Sequence, residues 1–275
     1  MKQIVCEMCG GHDFAKVDGM MVCQSCGTKF TVEEAKKMMI EGPVDVSGST
    51  VKIDKSSELE NLYEIARRAR NDGNHENAVS YYEKVLALDP NSWEATYFIL
   101  LERGYQTTIG NIRNAVVRVN NTLDTCLDLI KKHVTEKGQI IEAIHTMGAT
   151  LCSFCSAMAN AAVNHYNGID YQIQANYRGE CIGRVDACAL ARKYFADLLE
   201  DGFQEYREDL KDCISGGWKD CITYSLKTWN IANQQNKEIV VNRVNALALK
   251  IKKLNPAYRA PEFKKGLFGW KLIKE

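Results

Sequence analysis

The sequence has no net charge: 35 lysines and arginines stand against 35 aspartates and glutamates. No global field therefore favours nucleic acid, an anionic membrane or an acidic substrate, and any such preference must be local. The amino terminus has no long apolar run. MKQIVCEMCG reaches its first cysteine pair where a secretory signal needs unbroken hydrophobic residues, and no small-residue cleavage site follows. A cytoplasmic protein is expected. Also missing is a catalytic constellation: no nucleophile–base pairing, phosphate-cradling glycine loop or open metal site can be read, so the chain is not expected to be an enzyme. Beyond Trp93 no strand-like segment is legible, and the fold class expected is mainly α, a small N-terminal β module followed by an α-helical repeat or bundle.

Between Ala143 and Ile169 there is no Asp, Glu, Lys or Arg, a stretch long enough to cross a bilayer, which takes about 20 residues of helix. His145, Thr146, Thr150, Ser153, Ser156, Asn160, Asn164 and His165 would all need partners in lipid. A buried helix in a bundle places them at its ends and seams, so membrane spanning is disfavoured.

Eleven cysteines are present, an odd number, and four stand in a metal-ligand pattern that oxidation would destroy. This fits a reducing compartment better than a disulfide scaffold. Cys6 and Cys9 are separated by two residues, as are Cys23 and Cys26, with thirteen residues between the pairs. That spacing lets two thiolates of a tight turn point at one centre, and two such turns make a tetrahedral site. Gly10 and Gly27 follow each second cysteine and supply the positive φ that turns backbone N–H groups toward sulfur.

Four thiolates close the coordination sphere, so the ion is structural. Iron suits the same ligands, but zinc is expected, one per chain. A segment of some thirty residues cannot bury enough apolar surface to fold alone, so the metal supplies most of its folding free energy, on the order of 10 kcal/mol. Phe14, Val17, Val22 and Phe30 are the expected supporting core, and His12 is expected to be an exposed hairpin residue. Asp18-Gly19 predicts a two-residue primed turn. Thr31 and Glu34 predict a capping box opening a helix to about Ile40.

Residues 1–41 thus read as a small β zinc ribbon with its helix, and 42–56, with Pro43 and Gly48, read as a linker. Residues 57–91 carry two amphipathic runs separated by Gly73. Pro90 stops the second, and Asn91 or Ser92 caps the next helix. Residues 92–255 read as further helices at about 93–103, 110–133, 138–166, 176–201, 204–228 and 233–254, with Gly216-Gly217 breaking the fifth. Residues 256–275 are a basic-aromatic tail that combines Phe268, Trp270, Leu272 and Ile273 with lysines from Lys264 onward. A membrane surface or a partner groove would suit it, and docking on its own bundle is preferred.

The knuckle-hairpin-knuckle pattern with VCQSCGTKF resembles the zinc ribbon at the start of transcription factor IIB. Its continuation TVEEAKKMMIEGPVDVSG resembles a group of bacterial proteins that carry such a ribbon ahead of helical repeats. In the transcription factor the ribbon docks on RNA polymerase, which the resemblance makes a conceivable partner; the factor's cyclin-like repeats are not recognisable downstream. Gly73, Ala78, Tyr82, Leu86 and Pro90 stand at the relative spacings of a tetratricopeptide repeat, and residues 57–90 resemble one copy. Leu62 and Ala69 replace the usual tryptophan and tyrosine of its first helix.

One repeat cannot bury its own apolar face, so the later helices continue the stack or cap it. On the first helix Tyr63, Arg67 and Arg70 would face a groove able to hold an acidic or carboxyl-terminal peptide. Cys126, Cys152, Cys155, Cys181, Cys188, Cys213 and Cys221 are expected as small buried hydrophobes, although Cys152 with Cys155, or Cys181 with Cys188, could share a face for a second metal.

The function expected is a zinc-binding protein–protein interaction adaptor, with protein partners. The alternative is a transcription or nucleic-acid accessory factor acting through the ribbon. Against it, Lys2, Lys16, Lys29, Lys36 and Lys37 are matched by Glu7, Asp13, Asp18, Glu33 and Glu34, leaving no excess to neutralise phosphates.

Overall fold

The computed structural model describes residues 3–4, 6, 8–37, 39–40, 56–267 and 269–274. The chain divides into two compact units, Met1–Asp54 and Lys55–Glu275. The 42–56 linker lies outside the described residues except for Ser56, and Phe268 lies outside them too.

In the first unit β1 (Gln3–Ile4) precedes a three-stranded antiparallel sheet of β2 (Phe14–Val17), β3 (Met20–Cys23) and β4 (Lys29–Phe30), in that order. Val17 pairs with Met20, so the turn is Asp18-Gly19 alone, with φ of 50° and 80°. Both residues are left-handed, as a primed turn requires. Thr31 Oγ1 accepts from the Glu34 N–H at 3.2 Å and Glu34 Oε2 accepts from the Thr31 N–H at 2.8 Å. This reciprocal cap starts α1 (Val32–Lys37).

The helix stops at Lys37, short of the expected Ile40. Residues Met39–Ile40 form β5, antiparallel to β1, with Gln3 opposite Ile40. Backbone groups of β1 are the partners that local helical propensity could not take into account. A second departure concerns the small core. Cross-strand registers put Phe14, Met21 and Phe30 on one face of the sheet and Val17 and Val22 on the other. Phe14 and Phe30 meet with ring centroids 6.1 Å apart, whereas Val17 is 47% exposed. Period-two alternation splits the four residues, so they do not form one core.

The second unit begins with an antiparallel pair, α2 (Ser56–Asn71) and α3 (His75–Leu88). Gly73 joins them at φ 70°, and the Asn74 N–H returns to the Ala69 carbonyl at 2.9 Å. The C-terminal positive-φ glycine and its returning bond satisfy carbonyls that the helix end leaves open. Ser92 Oγ accepts from the Ala95 N–H at 3.0 Å and starts α4 (Trp93–Tyr105). There follow α5 (Ile112–His133), α6 (Lys137–Asn167), α7 (Tyr171–Gln174), α8 (Arg178–Gly202), α9 (Arg207–Lys227) and α10 (Gln234–Leu254).

The charge-poor α6 is the one helix among the described residues long and apolar enough to cross a membrane by length and composition. Its apolar stripe, including Ile144, Leu151, Phe154 and Ala162, is buried, and it touches α4, α5, α8 and α9. His145, Ser153, Asn160, Asn164 and His165 fall on its exposed side.

Gly216-Gly217 does not break α9, which runs unbroken through both. A Cβ on Gly217 would lie 2.8 Å from the Arg192 carbonyl and 2.9 Å from the Ala196 Cβ. Glycine stands there because α8 and α9 approach too closely for a side chain. Gly148 plays the same part on α6, where a Cβ would meet Cys213 Sγ at 2.6 Å. Buried Arg192 of α8 fastens this contact: Nη1 donates to the Gly148 carbonyl at 2.9 Å and Nε to Asp220 Oδ2 at 2.8 Å. Asp197 of α8 likewise accepts from Lys193, from Trp218 Nε1 of α9 at 3.0 Å and from Lys250 of α10 at 2.8 Å.

In the tail β6 (Glu262–Gly266) and β7 (Gly269–Lys274) form an antiparallel hairpin. Phe263, Trp270 and Leu272 pack on the helical core, Phe263 against Trp229 at 5.1 Å. The Trp270 N–H reaches Gln234 Oε1 at 3.0 Å. Alternation of apolar residues with Lys264 and Lys271 is a period-two signal that the lysine content masks.

Two outcomes are expected. Gly217→Val should destabilise the helical unit by about 1–3 kcal/mol through overpacking, while Gly216→Val, where a Cβ meets nothing within 4 Å, should cost much less; equal losses in chemical denaturation would contradict this. Burial raises the Asp197 pKa, but donation from Lys193, Lys250 and Trp218 outweighs it and holds the carboxyl below its usual value. Its stabilisation is therefore complete above the unfolded carboxylate pKa of about 3.9 and fades as pH falls through the folded value. Asp197→Asn should flatten stability against pH in that acid range, and an unchanged profile would refute the assignment.

Candidate metal centre and helical cleft

Two knuckles with the same hydrogen-bond pattern present the thiolates. The Gly10 N–H bonds the Cys6 carbonyl and the Gly27 N–H the Cys23 carbonyl, both at 2.8 Å. The Cys6 N–H reaches the Gly11 carbonyl and the Cys23 N–H the Thr28 carbonyl, both at 2.9 Å. Gly10 and Gly27 share φ 73°. The backbone N–H groups of Gly11 and Thr28 favour the thiolate forms of Cys9 and Cys26, and the Thr28 hydroxyl stands 3.2 Å from Cys26 Sγ. Those donors stabilise thiolate charge and orient the ligands.

The four sulfurs lie within 4.8 Å of one another, with Cys6–Cys26 at 3.7 Å and Cys9–Cys23 at 3.6 Å. A tetrahedron with metal–sulfur bonds of about 2.3 Å has edges of about 3.8 Å, so the cluster fits a zinc ion. Cys6 and Cys23 are buried, whereas Cys9 and Cys26 are exposed. His12 is exposed and outside the cluster. The site holds one structural zinc, which cross-links the two knuckles.

Gly11 and Thr28 went unnoticed in the sequence. A Cβ on Gly11 would stand 2.7 Å from Ser25 Oγ and 3.3 Å from Cys9 Sγ. Only the second knuckle folded beside the first reveals that contact, although the paired glycines of CGG are a signal in hindsight.

No second cluster of three or more His, Cys, Asp or Glu ligands occurs among the described residues. Cys155 faces Cys188 of the neighbouring helix, whose hydrogen bond, together with burial, raises the Cys155 thiol well above its ordinary pKa. Burial pushes Cys126 to about 12 and Cys213 and Cys221 to about 11. Neutral thiols of this kind pack as small hydrophobes.

In the helical unit a cleft of about 530 Å³ is lined by Arg67 and Arg70 of α2, Trp93 and Glu94 of α4, and Glu142 and Thr146 of α6, among others. Tyr63 braces the helices: its hydroxyl donates to Ser92 Oγ at 2.6 Å. Arg67 makes a two-pronged contact with Glu94, Nε to Oε1 at 2.8 Å and Nη2 to Oε2 at 2.5 Å. Buried Glu94 also accepts from the Tyr82 hydroxyl at 3.0 Å. Arg70 lies over the Phe98 ring at 4.0 Å and donates to the Tyr82 hydroxyl at 3.4 Å. The three residues singled out in the sequence therefore have different surroundings, two braced by α4 and one stacked with its remaining donors available. Glu94, the carboxylate that holds Arg67 and accepts from Tyr82, was not anticipated.

Replacing Cys23 with Ser should lower bound zinc from one per chain to well below it and expose residues 1–40 to protease, while the helical unit's melting transition stays in place. Metal analysis showing full zinc retention in the variant would refute the four-thiolate site.

Residues 2–31 match the family model described as the zinc-finger of RNA-polymerase I-specific TFIIB, Rrn7. No curated protein matches the chain. A zinc ribbon of this TFIIB type, holding its ion through Cys6, Cys9, Cys23 and Cys26, is thus present at the start of the chain.

Proposed function

We propose that the protein is an interaction adaptor, with the zinc ribbon as one rigid recognition surface and the helical unit as a second. The observation that supports this most is the cleft, to which α2, α4 and α6 each contribute. These are alternate long helices of the array, the set that faces a common concave side when helical hairpins stack. Gly73, Ala78, Tyr82 and Pro90 keep the tetratricopeptide spacing, and Ala66, Ala78 and Tyr82 are fully buried where that motif packs its helices. A cleft of this size suits an extended peptide segment. The ribbon's thiolates leave its metal no open position, so the ion supports a surface and not a reaction.

A second reading is favoured by the family match over residues 2–31: a transcription-related accessory role in which the ribbon contacts a polymerase or its nucleic acid. Balanced charge in the ribbon weighs against direct phosphate binding.

The deciding experiment captures partners on the full chain, its Cys23→Ser variant and its Arg70→Ala variant, with and without nuclease. A protein partner that survives nuclease and is lost on Arg70→Ala is the expected result. Recovery of nucleic acid, or of partners released by nuclease, would replace the adaptor reading with the transcription-type one.

A further inference from the structure

The cleft contains two opposite charges that the protein itself leaves without an ion-pair partner. Arg70 is fixed by the Phe98 face and the Tyr82 hydroxyl, and no carboxylate stands within ion-pair distance of it among the described residues, Glu102 interacting with it only at longer range. Glu142, on α6, makes no ion pair or hydrogen bond among them either. The other charges nearby are already satisfied. Arg67 and Glu94 neutralise each other. In an adjoining cavity of about 240 Å³ that shares Arg70, buried Glu102 is held by His75 at 2.6 Å.

Each unpaired charge would be unremarkable on a convex surface. Here one is brought by α2 and the other by α6 into one cleft, and the cation is held in place before any ligand arrives. Stacking on an aromatic ring restricts a guanidinium while leaving N–H donors in its plane free for a carboxylate.

We propose that the cleft binds an extended peptide segment in which an acidic and a basic residue are adjacent, the acid pairing with Arg70 and the base with Glu142. The inference rests on the reading of this cleft as a peptide groove and adds the chemistry of its ligand. In an extended chain neighbouring side chains point to opposite sides. An adjacent acid–base pair therefore reaches α2 with one side chain and α6 with the next, which an acidic pair or a lone terminal carboxylate does not. Trp93, which lines the same cleft from α4, offers an apolar face for the methylene stem of a lysine or arginine.

The test is a selection from randomised hexapeptides with acetylated amino and amidated carboxyl termini, using the full-length protein, followed by fluorescence anisotropy on the selected sequences. Selected peptides are expected to carry an adjacent acid–base pair. Glu142→Gln should weaken them about tenfold, with no effect on versions whose basic residue is alanine, and Arg70→Gln should weaken both. The double variant Arg70→Glu/Glu142→Lys should prefer the reversed order. Circular dichroism melting of each variant shows that the fold is retained.

Selection of acidic residues alone, with Glu142→Gln indistinguishable from the parent, would overturn the dipolar ligand and leave the peptide groove standing. If no hexapeptide is enriched and Arg70→Ala leaves partner capture unchanged, the groove reading falls together with the inference.

Discussion

Neither a thirty-residue ribbon nor a single helical hairpin can bury enough apolar surface to fold alone, and both units of this chain are organised around that deficit. In the ribbon the deficit is met by metal. Phe14 and Phe30 make one aromatic contact and Ala35 anchors the short helix, but among the described residues Met8 and Val17 are exposed and Val22 lies on the other sheet face. Convergence of four sulfurs on one ion does what a core would otherwise do. In the helical unit the deficit is met by stacking, with a continuous core running from Ala66 to Ile251.

Stacking that many helices demands close approach, and the sequence supplies it with small residues where backbones meet. Gly148 and Gly217 are the clearest cases, and buried thiols such as Cys155 and Cys188 fill similar narrow spaces. The cost of burying a charge at these seams is offset by pairing. Arg192 is satisfied by a carbonyl of α6 and a carboxylate of α9, so one buried charge holds three helices in register.

Buried carboxylates on α4 connect this architecture to the proposed cleft function. Glu94 and Glu102 are almost inaccessible, and burial raises the pKa of Glu102 against the opposing hydrogen bond from His75. Each is compensated by a partner from the preceding hairpin, Glu94 by the Arg67 guanidinium and Glu102 by a hydrogen bond with His75 Nδ1. The same contacts that fasten α4 to the first hairpin therefore shape the wall in which Arg70 is held. Structural pairing and the proposed ligand recognition draw on neighbouring side chains of one network, and its members differ in availability because some are already paired within the fold.

Much of this was legible in the sequence because it depends on local rules. The knuckle spacing, the Asp18-Gly19 turn, the Thr31–Glu34 cap, Gly73 and the Ser92 cap are each set by a few adjacent residues and the conformations those residues permit. Helix positions followed from apolar periodicity for the same reason. What depended on distant partners was not legible. The pairing of Met39–Ile40 with β1, the packed face of the C-terminal hairpin and the unbroken α9 at Gly216-Gly217 all turn on atoms contributed by remote segments. So does the difference between Arg67 and Arg70: the sequence placed both on one helix face, and only the approach of α4 decided that one would be clamped by Glu94 and the other left open. Local conformational preference is encoded within a few residues, whereas burial, pairing and close approach exist only once separate parts of the chain share the same space.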